Sequence, residues 1–102
     1  MSKKIVGICA CPVGIAHTYM AADAIEAAAK KLGCKSKVET QGSTGIEEKL
    51  TIKDLEEADL IIIATAVKLQ EEDRLNGFKE KTVKVTLKEA ITKSKEIIEE
   101  RI

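Results

Sequence analysis

Cys11 opens the run Cys11-Pro12-Val13-Gly14-Ile15-Ala16-His17-Thr18, where one nucleophilic side chain is followed by small or apolar residues and then by the single histidine of the chain. Residues 12 to 16 carry no carboxylate that would repel an anion, and the pattern beyond them reads as a helix. Backbone N–H groups and the positive end of the helix dipole would therefore face whatever is held at Cys11. A thiol in that place is shifted towards the thiolate, which is the nucleophilic form. The same donors would hold the oxygens of a phosphoryl group on that sulfur as it moves in and out. The chemistry this predicts is covalent: in-line attack by the Cys11 thiolate on a donor phosphoryl group gives a phosphocysteine, which passes the group on. Cys11 is the expected catalytic residue, and Pro12, Val13, Gly14, Ile15, Ala16, His17 and Thr18 form the expected phosphate-binding loop.

Other residues around this loop have narrower roles. His17 is expected to support the site, its ring donating to phosphoryl oxygens or shifting the Cys11 equilibrium, with helix capping as the plainer alternative. Thr18 could cap the helix or donate to phosphate. Gln41, Gly42 and Ser43 follow the second expected strand, at the same sheet end as Cys11, as partner or loop contacts, although an ordinary turn accounts for them nearly as well. Cys9 lies within a strand, where a free cysteine packs as a small apolar residue. No metal site is expected: Cys9 and Cys11 would need Cys34 and His17, and the helix between the last two separates them by more than about 20 Å. A relaxed Cys9–Cys11 disulfide is also excluded, because alternate residues of one strand stand too far apart.

The elements that must position this loop follow from hydrophobic patterning. Lys4–Cys9 is a short apolar run ended by a turn signal, the mark of a strand buried on both faces. From about His17 to Leu32 the apolar positions Met20, Ala21, Ala24, Ile25, Ala28 and Leu32 form a helical stripe that Gly33 stops. Lys35–Thr40 alternates weakly and reads as an edge strand, and 41–45 as a loop. Thr51 and Asp54 have capping-box spacing ahead of a short helix through about Glu57. Leu60–Ala64, continuous and β-branched, predicts a central parallel strand. A polar stretch from Val67 to Phe78 contains a helical turn near Glu71–Leu75. Thr82–Val85 is a last strand, and Thr86 with Glu89 repeats the capping spacing before a helix bearing Leu87, Ala90, Ile91, Ser94 and Ile98 on one side. The alternation predicts an α/β fold: a small open four-stranded parallel sheet, Rossmann-like β-α-β-α-β-(α)-β-α, with helices on both faces. In such sheets ligands bind beyond the carboxyl ends of the strands, where the Cys11 loop falls.

Composition narrows the setting. A length of 102 residues suits one domain, 1–102, and 44% hydrophobic residues with 2% aromatics require a core of Ile, Leu, Val and Ala. The 17 basic and 17 acidic residues cancel, so neither a positive field nor a base-stacking platform points to nucleic acid. Three cysteines, an odd number, argue for reduced thiols in a cytoplasmic setting. The stretch from Ile5 to Ala22 has no Asp, Glu, Lys or Arg and superficially suits a signal peptide or membrane span, but Gly7, Pro12, Gly14, His17 and Thr18 interrupt it. It is expected to be strand, loop and helix start, with no direct membrane insertion.

At the Cys11 loop the chain resembles the fructose-class IIB component of the bacterial phosphoenolpyruvate-dependent sugar phosphotransferase system. That family's pattern, Cys-Pro-Thr-Gly-Ile-Ala-His-Thr followed by aromatic-Met-Ala-Ala, stands here as Cys11 through Ala22 with Val13 in place of Thr. A second block, Val-Glu-Thr-Gln-Gly-Ser-x-Gly-Ile-Glu, matches Val38 to Glu47, and a weaker one matches Leu50 to Asp59. Departures are Val13, Ala66 where the family usually has Asp, and an altered stretch from Arg74 to Lys79. The resemblance implies a phosphoryl relay. A IIA domain carrying a phosphohistidine gives its phosphate to Cys11, and Cys11 gives it to a sugar, fructose on this resemblance, bound by the membrane-embedded IIC transporter, with the phosphorylated sugar as product. It implies a cytoplasmic component associated with the membrane through IIC, and no metal or organic cofactor.

Two rivals remain at the level of sequence. Low-molecular-weight phosphatases and arsenate reductases also present a cysteine between a first strand and helix, but need an Arg closing the loop as a bidentate phosphate clamp. This loop has none, the chain's two arginines being Arg74 and Arg101. The other rival is a regulatory module that senses phosphorylation through the same fold.

Overall fold

The computed structural model describes residues 3–10, 15–42, 45–65 and 72–101. The elements in chain order are β1 (Lys4–Ala10), α1 (Ile15–Lys31), β2 (Lys35–Gly42), β3 (Gly45–Glu47), α2 (Ile52–Glu57), β4 (Leu60–Thr65), two 3₁₀ turns (Glu72–Leu75 and Lys79–Lys81), β5 (Thr82–Val85) and α3 (Leu87–Glu99). They build one five-stranded sheet in the order β3-β2-β1-β4-β5. All pairings are parallel except β2 with β3.

The boundaries have local causes. α1 ends in a Schellman arrangement, in which Gly33 takes φ +76°, the Gly33 N–H donates to Lys30 O at 3.0 Å and the Cys34 N–H to Ala29 O at 2.8 Å. α2 and α3 each start on a complete capping box. The Asp54 N–H donates to Thr51 Oγ1 at 3.2 Å while the Thr51 N–H donates to Asp54 Oδ2 at 2.9 Å; Thr86 and Glu89 repeat both bonds at 3.0 Å.

Strand alternation divides the core into two layers. Ile5, Cys9, Leu60, Ile62 and Ala64 pack under α1 and α3, which supply Ala21, Ile25, Ala29, Ala90 and Ile98. Val6, Ile8, Ala10, Ile61 and Ile63 face the other way, towards Leu50, Leu55 and Leu75. Each such isoleucine or leucine, buried at or near zero exposure, contributes about 1.5–3 kcal/mol relative to an exposed one. Gly7 lets α1 approach: a Cβ there would lie 3.3 Å from Ile62 O and 3.4 Å from Ile25 Cδ1.

Two expectations need correction. Gln41 and Gly42 are not in a loop: β2 continues through them, and Thr40, Gln41 and Gly42 pair antiparallel with Glu47, Ile46 and Gly45. Gly42 and Gly45 pair with two residues between them in the sequence, so β2 and β3 form a hairpin, and Gly45 takes φ +103°. The sheet accordingly has a fifth, antiparallel strand, and β2 is an edge only over the part that β3 does not cover. The uncharged stretch from Ile5 to Ala22 contributes most of β1 and the start of α1, and among the described residues no helix is long and apolar enough to cross a membrane.

Candidate functional site

Ala10 is the last residue of β1 and stands between Gln41 of β2 and Thr65 of β4 in register. Three strands end at this carboxyl edge: β1 at Ala10, β2 at Gly42 and β4 at Thr65. β1 connects through α1 to β2 on one side and has β4 on the other, so its carboxyl end is the switch point where open parallel sheets bind ligands. α1 runs for 17 residues from Ile15, with no acidic residue in its first turn and Lys30 and Lys31 in its last. The helix charges thus complement the dipole at the far end and leave the end facing the switch point positive.

The expected site residues fall as follows. Cys11, Pro12, Val13, Gly14 and Ser43 lie outside the described residues. Ile15, Ala16 and His17 form the start of α1, their side chains outside the description. His17 and Thr18 are the third and fourth helical residues, so neither is the N-cap; Thr18 is buried, 2% exposed. Gln41 is buried within β2.

The other thiols separate cleanly. Cys9 is fully buried under α1, and burial, with a smaller contribution from the Glu26 carboxylate, pushes its thiol up to about 12. It is neutral near pH 7 and packs as a small apolar residue. Cys34 is half-buried just past the end of α1. Among the described residues, no group of three or more His, Cys, Asp or Glu is placed to hold a metal ion.

The structure adds a constellation that residue patterning missed. Glu39, two residues before Gln41, is fully buried and shares its face of the sheet with Ile8 and Ala10. Arg74, in the first 3₁₀ turn, meets it in bidentate fashion: Nη1 donates to Glu39 Oε1 at 2.7 Å and Nη2 bonds Oε2. The Leu50 N–H donates to Oε1 at 2.7 Å and Gln41 Nε2 to Oε2 at 2.7 Å, while Arg74 Nη1 also donates to Leu50 O at 2.7 Å. Every lone-pair direction of the carboxylate is used, which is what a buried charge requires. The available signal was a glutamate inside a strand that adjoins the apolar run of β1, with one of only two arginines to neutralise it. A second link is the Tyr19 hydroxyl of α1 bonded to Glu47 Oε1 of β3, which ties the hairpin to the helix whose start faces the switch point. Arg101 is elsewhere. It lines a pocket of about 220 Å³ with Asp59, Leu60, Thr82 and Val83, at the amino ends of β4 and β5.

A family model described as "PTS system, Lactose/Cellobiose specific IIB subunit" matches residues 6–100. The chain is 46% identical over 100 residues to the PTS system fructose-like EIIB component 1 of Escherichia coli strain K12, covering 98% of this chain and 91% of that one. It is 43% identical over 95 residues to fructose-like EIIB component 2 of the same strain, covering 93% and 88%. Among solved structures, the Enzyme IIB subunit of the PTS system from E. coli K12 superposes with a TM-score of 0.89 at 44% identity, covering 98% and 91% of the two chains. A domain of the fructose-specific IIABC component of Borrelia burgdorferi gives the same TM-score and identity, covering 99% and 94%.

Proposed function

The chain belongs to the IIB family of sugar phosphotransferase systems and is a phosphotransferase component of the fructose-like kind, and from that premise we propose that Cys11 is its phosphoryl acceptor. The observation that carries this reading is the position of Ala10. It ends a strand flanked on both sides, at the switch point of the sheet, and the next residue is Cys11, four positions before a helix whose first turn has no acid.

In the first step the Cys11 thiolate attacks the phosphorus of a IIA phosphohistidine in line. The S–P bond forms, the N–P bond breaks, and the electron pair returns to the imidazole, which takes up a proton. In the second step the oxygen of a sugar hydroxyl, held by the IIC transporter, attacks the phosphocysteine. The O–P bond forms, the S–P bond breaks, the hydroxyl proton leaves to a base, and the thiolate is restored. Backbone N–H groups of residues 13–18 and the α1 dipole hold the phosphoryl oxygens in both steps. His17 supports the loop, and Gln41, Gly42 and Ser43 border it. The sugar is fructose or a close relative, after the relatives' names. The chain works as a single domain, 1–102, on the cytoplasmic side of the membrane, reaching the bilayer only through IIC.

A phosphatase would need a guanidinium clamp on the phosphate. Arg74 is committed to Glu39 and Leu50, and Arg101 stands at the opposite end of the sheet, so a carrier fits these residues better than a hydrolase.

The test is intact mass after incubation with phosphoenolpyruvate, the general phosphocarrier proteins and a IIA partner. Wild type gains one phosphoryl group, Cys9→Ser gains one as well, and Cys11→Ser gains none. Phosphorylation lost in Cys9→Ser and retained in Cys11→Ser overturns the assignment. Transfer onward to candidate sugars through a matched IIC then decides the substrate.

A further inference from the structure

The Glu39–Arg74 pair spans the sheet beneath the strand that delivers Cys11. Glu39 belongs to β2, and Arg74 sits in the 3₁₀ turn that follows β4 and residues 66–71. β1 lies between β2 and β4, so the bond reaches from one neighbour of β1 to the segment leaving the other, across the face that carries Ile8 and Ala10. Leu75, next to Arg74, packs into the same layer as those two residues. The carboxylate also holds the Gln41 amide by its Nε2, and Gln41 is the register partner of Ala10, the residue before Cys11. We propose that Glu39 and Arg74 are positioning residues for phosphoryl transfer: a charged strap across the sheet that fixes the Gln41 amide beside Ala10, the β1 residue that precedes Cys11.

The inference rests on Cys11 being the acceptor. What favours a positioning role over a purely structural one is the choice of chemistry. A buried ion pair is often no more stabilising than apolar residues of the same volume, and the neighbours of Glu39 in this layer include Val6, Ile8, Ala10, Ile61 and Ile63. A bidentate guanidinium that also reaches the Leu50 carbonyl fixes three chain segments in orientation as well as distance. Transfer between two phosphoryl carriers demands in-line geometry, and small misplacements of the accepting atom reduce its rate steeply.

Two variants separate these roles. Glu39→Met/Arg74→Met removes both charges, and Arg74→Lys keeps the charge but loses the fork. Each is assayed below its own melting temperature for phosphoryl uptake from the phosphorylated IIA partner over a range of donor concentrations, alongside wild type. The expected result is a cooperatively folded double variant whose kcat for uptake falls about tenfold with KM for the donor little changed, and a smaller loss in Arg74→Lys. Folded variants with wild-type kcat overturn the proposal. If the double variant does not fold, Arg74→Lys decides by the same criterion; if neither folds, the pair is a requirement of the fold alone and the proposal falls. Wild type that gains no phosphoryl group on Cys11 defeats the reading of the site instead, so the two failures are distinct.

Discussion

Lys37 and Glu39 stand two residues apart on the same face of β2, and each is held by an oppositely charged partner, but water treats the two pairs differently. Lys37 Nζ meets Asp54 Oδ2 at 2.9 Å with its side chain 33% exposed and that of Asp54 16% exposed. Glu39 and Arg74 are 0% and 9% exposed. The first pair lies towards the amino end of the sheet and shares Asp54 with Lys4 at 3.3 Å; the second lies towards the carboxyl end, beside the switch point. At the amino end charges are used where solvent already accommodates them. At the carboxyl end a charge is desolvated inside an aliphatic layer and needs four hydrogen bonds to be tolerated there. Only the second arrangement fixes direction as well as proximity, and it occurs where the proposed chemistry needs direction.

The comparison breaks most visibly at Arg74. Arg74→Ala leaves the Glu39 carboxylate buried with no counter-charge, and the expected cost is about 3–5 kcal/mol, measured as a lower urea midpoint at unchanged m. A loss below about 1 kcal/mol, the size typical of surface pairs, would mean that water reaches Glu39 and that the two pairs are alike.

Asp54 gives the next effect. Asp54→Ala removes the reciprocal half of the α2 capping box and the partner of two lysines, an expected loss of about 1–2 kcal/mol. The same residue makes the amino end acid-sensitive. The Thr51 N–H first, then Lys37, with the Thr51 hydroxyl and Lys4 adding to them, hold the Asp54 carboxyl well below its ordinary value against the opposing effect of burial. With the folded pKa depressed, the stabilisation is complete above the unfolded value of about 3.9 and is lost as pH falls through that value towards the folded one. Urea midpoints taken from about pH 6 down to about pH 2 should therefore fall less steeply in Asp54→Asn than in wild type. Parallel slopes would remove Asp54 from the acid response.

Legibility in the sequence follows the same division. β1, α1, α2, β4, β5 and α3 can be read because their signals are local: continuous β-branched runs, a 3.6-residue stripe and two capping boxes whose bonds form as spaced. β2 runs two residues beyond the Lys35–Thr40 that its weak alternation predicts and pairs there with β3. One of its faces presents Lys37 to α2 and Glu39 to a distant 3₁₀ turn, with Gln41 donating to Glu39, so polar residues there are paired. Glu39 and Arg74 are 35 positions apart, and no periodicity links them; only the crossover that returns the chain from β4 under β1 brings them together. The Cys11 loop rests on the opposite kind of signal, a contiguous nucleophile, small residues and helix start, of which the structure describes the start of α1.

The smallest effect sharpens the contrast most. Lys37→Ala leaves Asp54 with Lys4, Thr51 and access to water, so the expected loss is about 0.5 kcal/mol or less. Because both side chains of that pair touch solvent, the loss should shrink further in about 1 M salt, where the screening length is about 3 Å. The larger loss in Arg74→Ala should persist at the same salt, since ions do not enter the layer around Glu39. Urea titrations of the two variants at low and high salt thus form a two-by-two comparison on one strand. A salt-sensitive Arg74→Ala would place solvent beneath β1, and with it would go the reason for a charged strap to hold its neighbours rigidly.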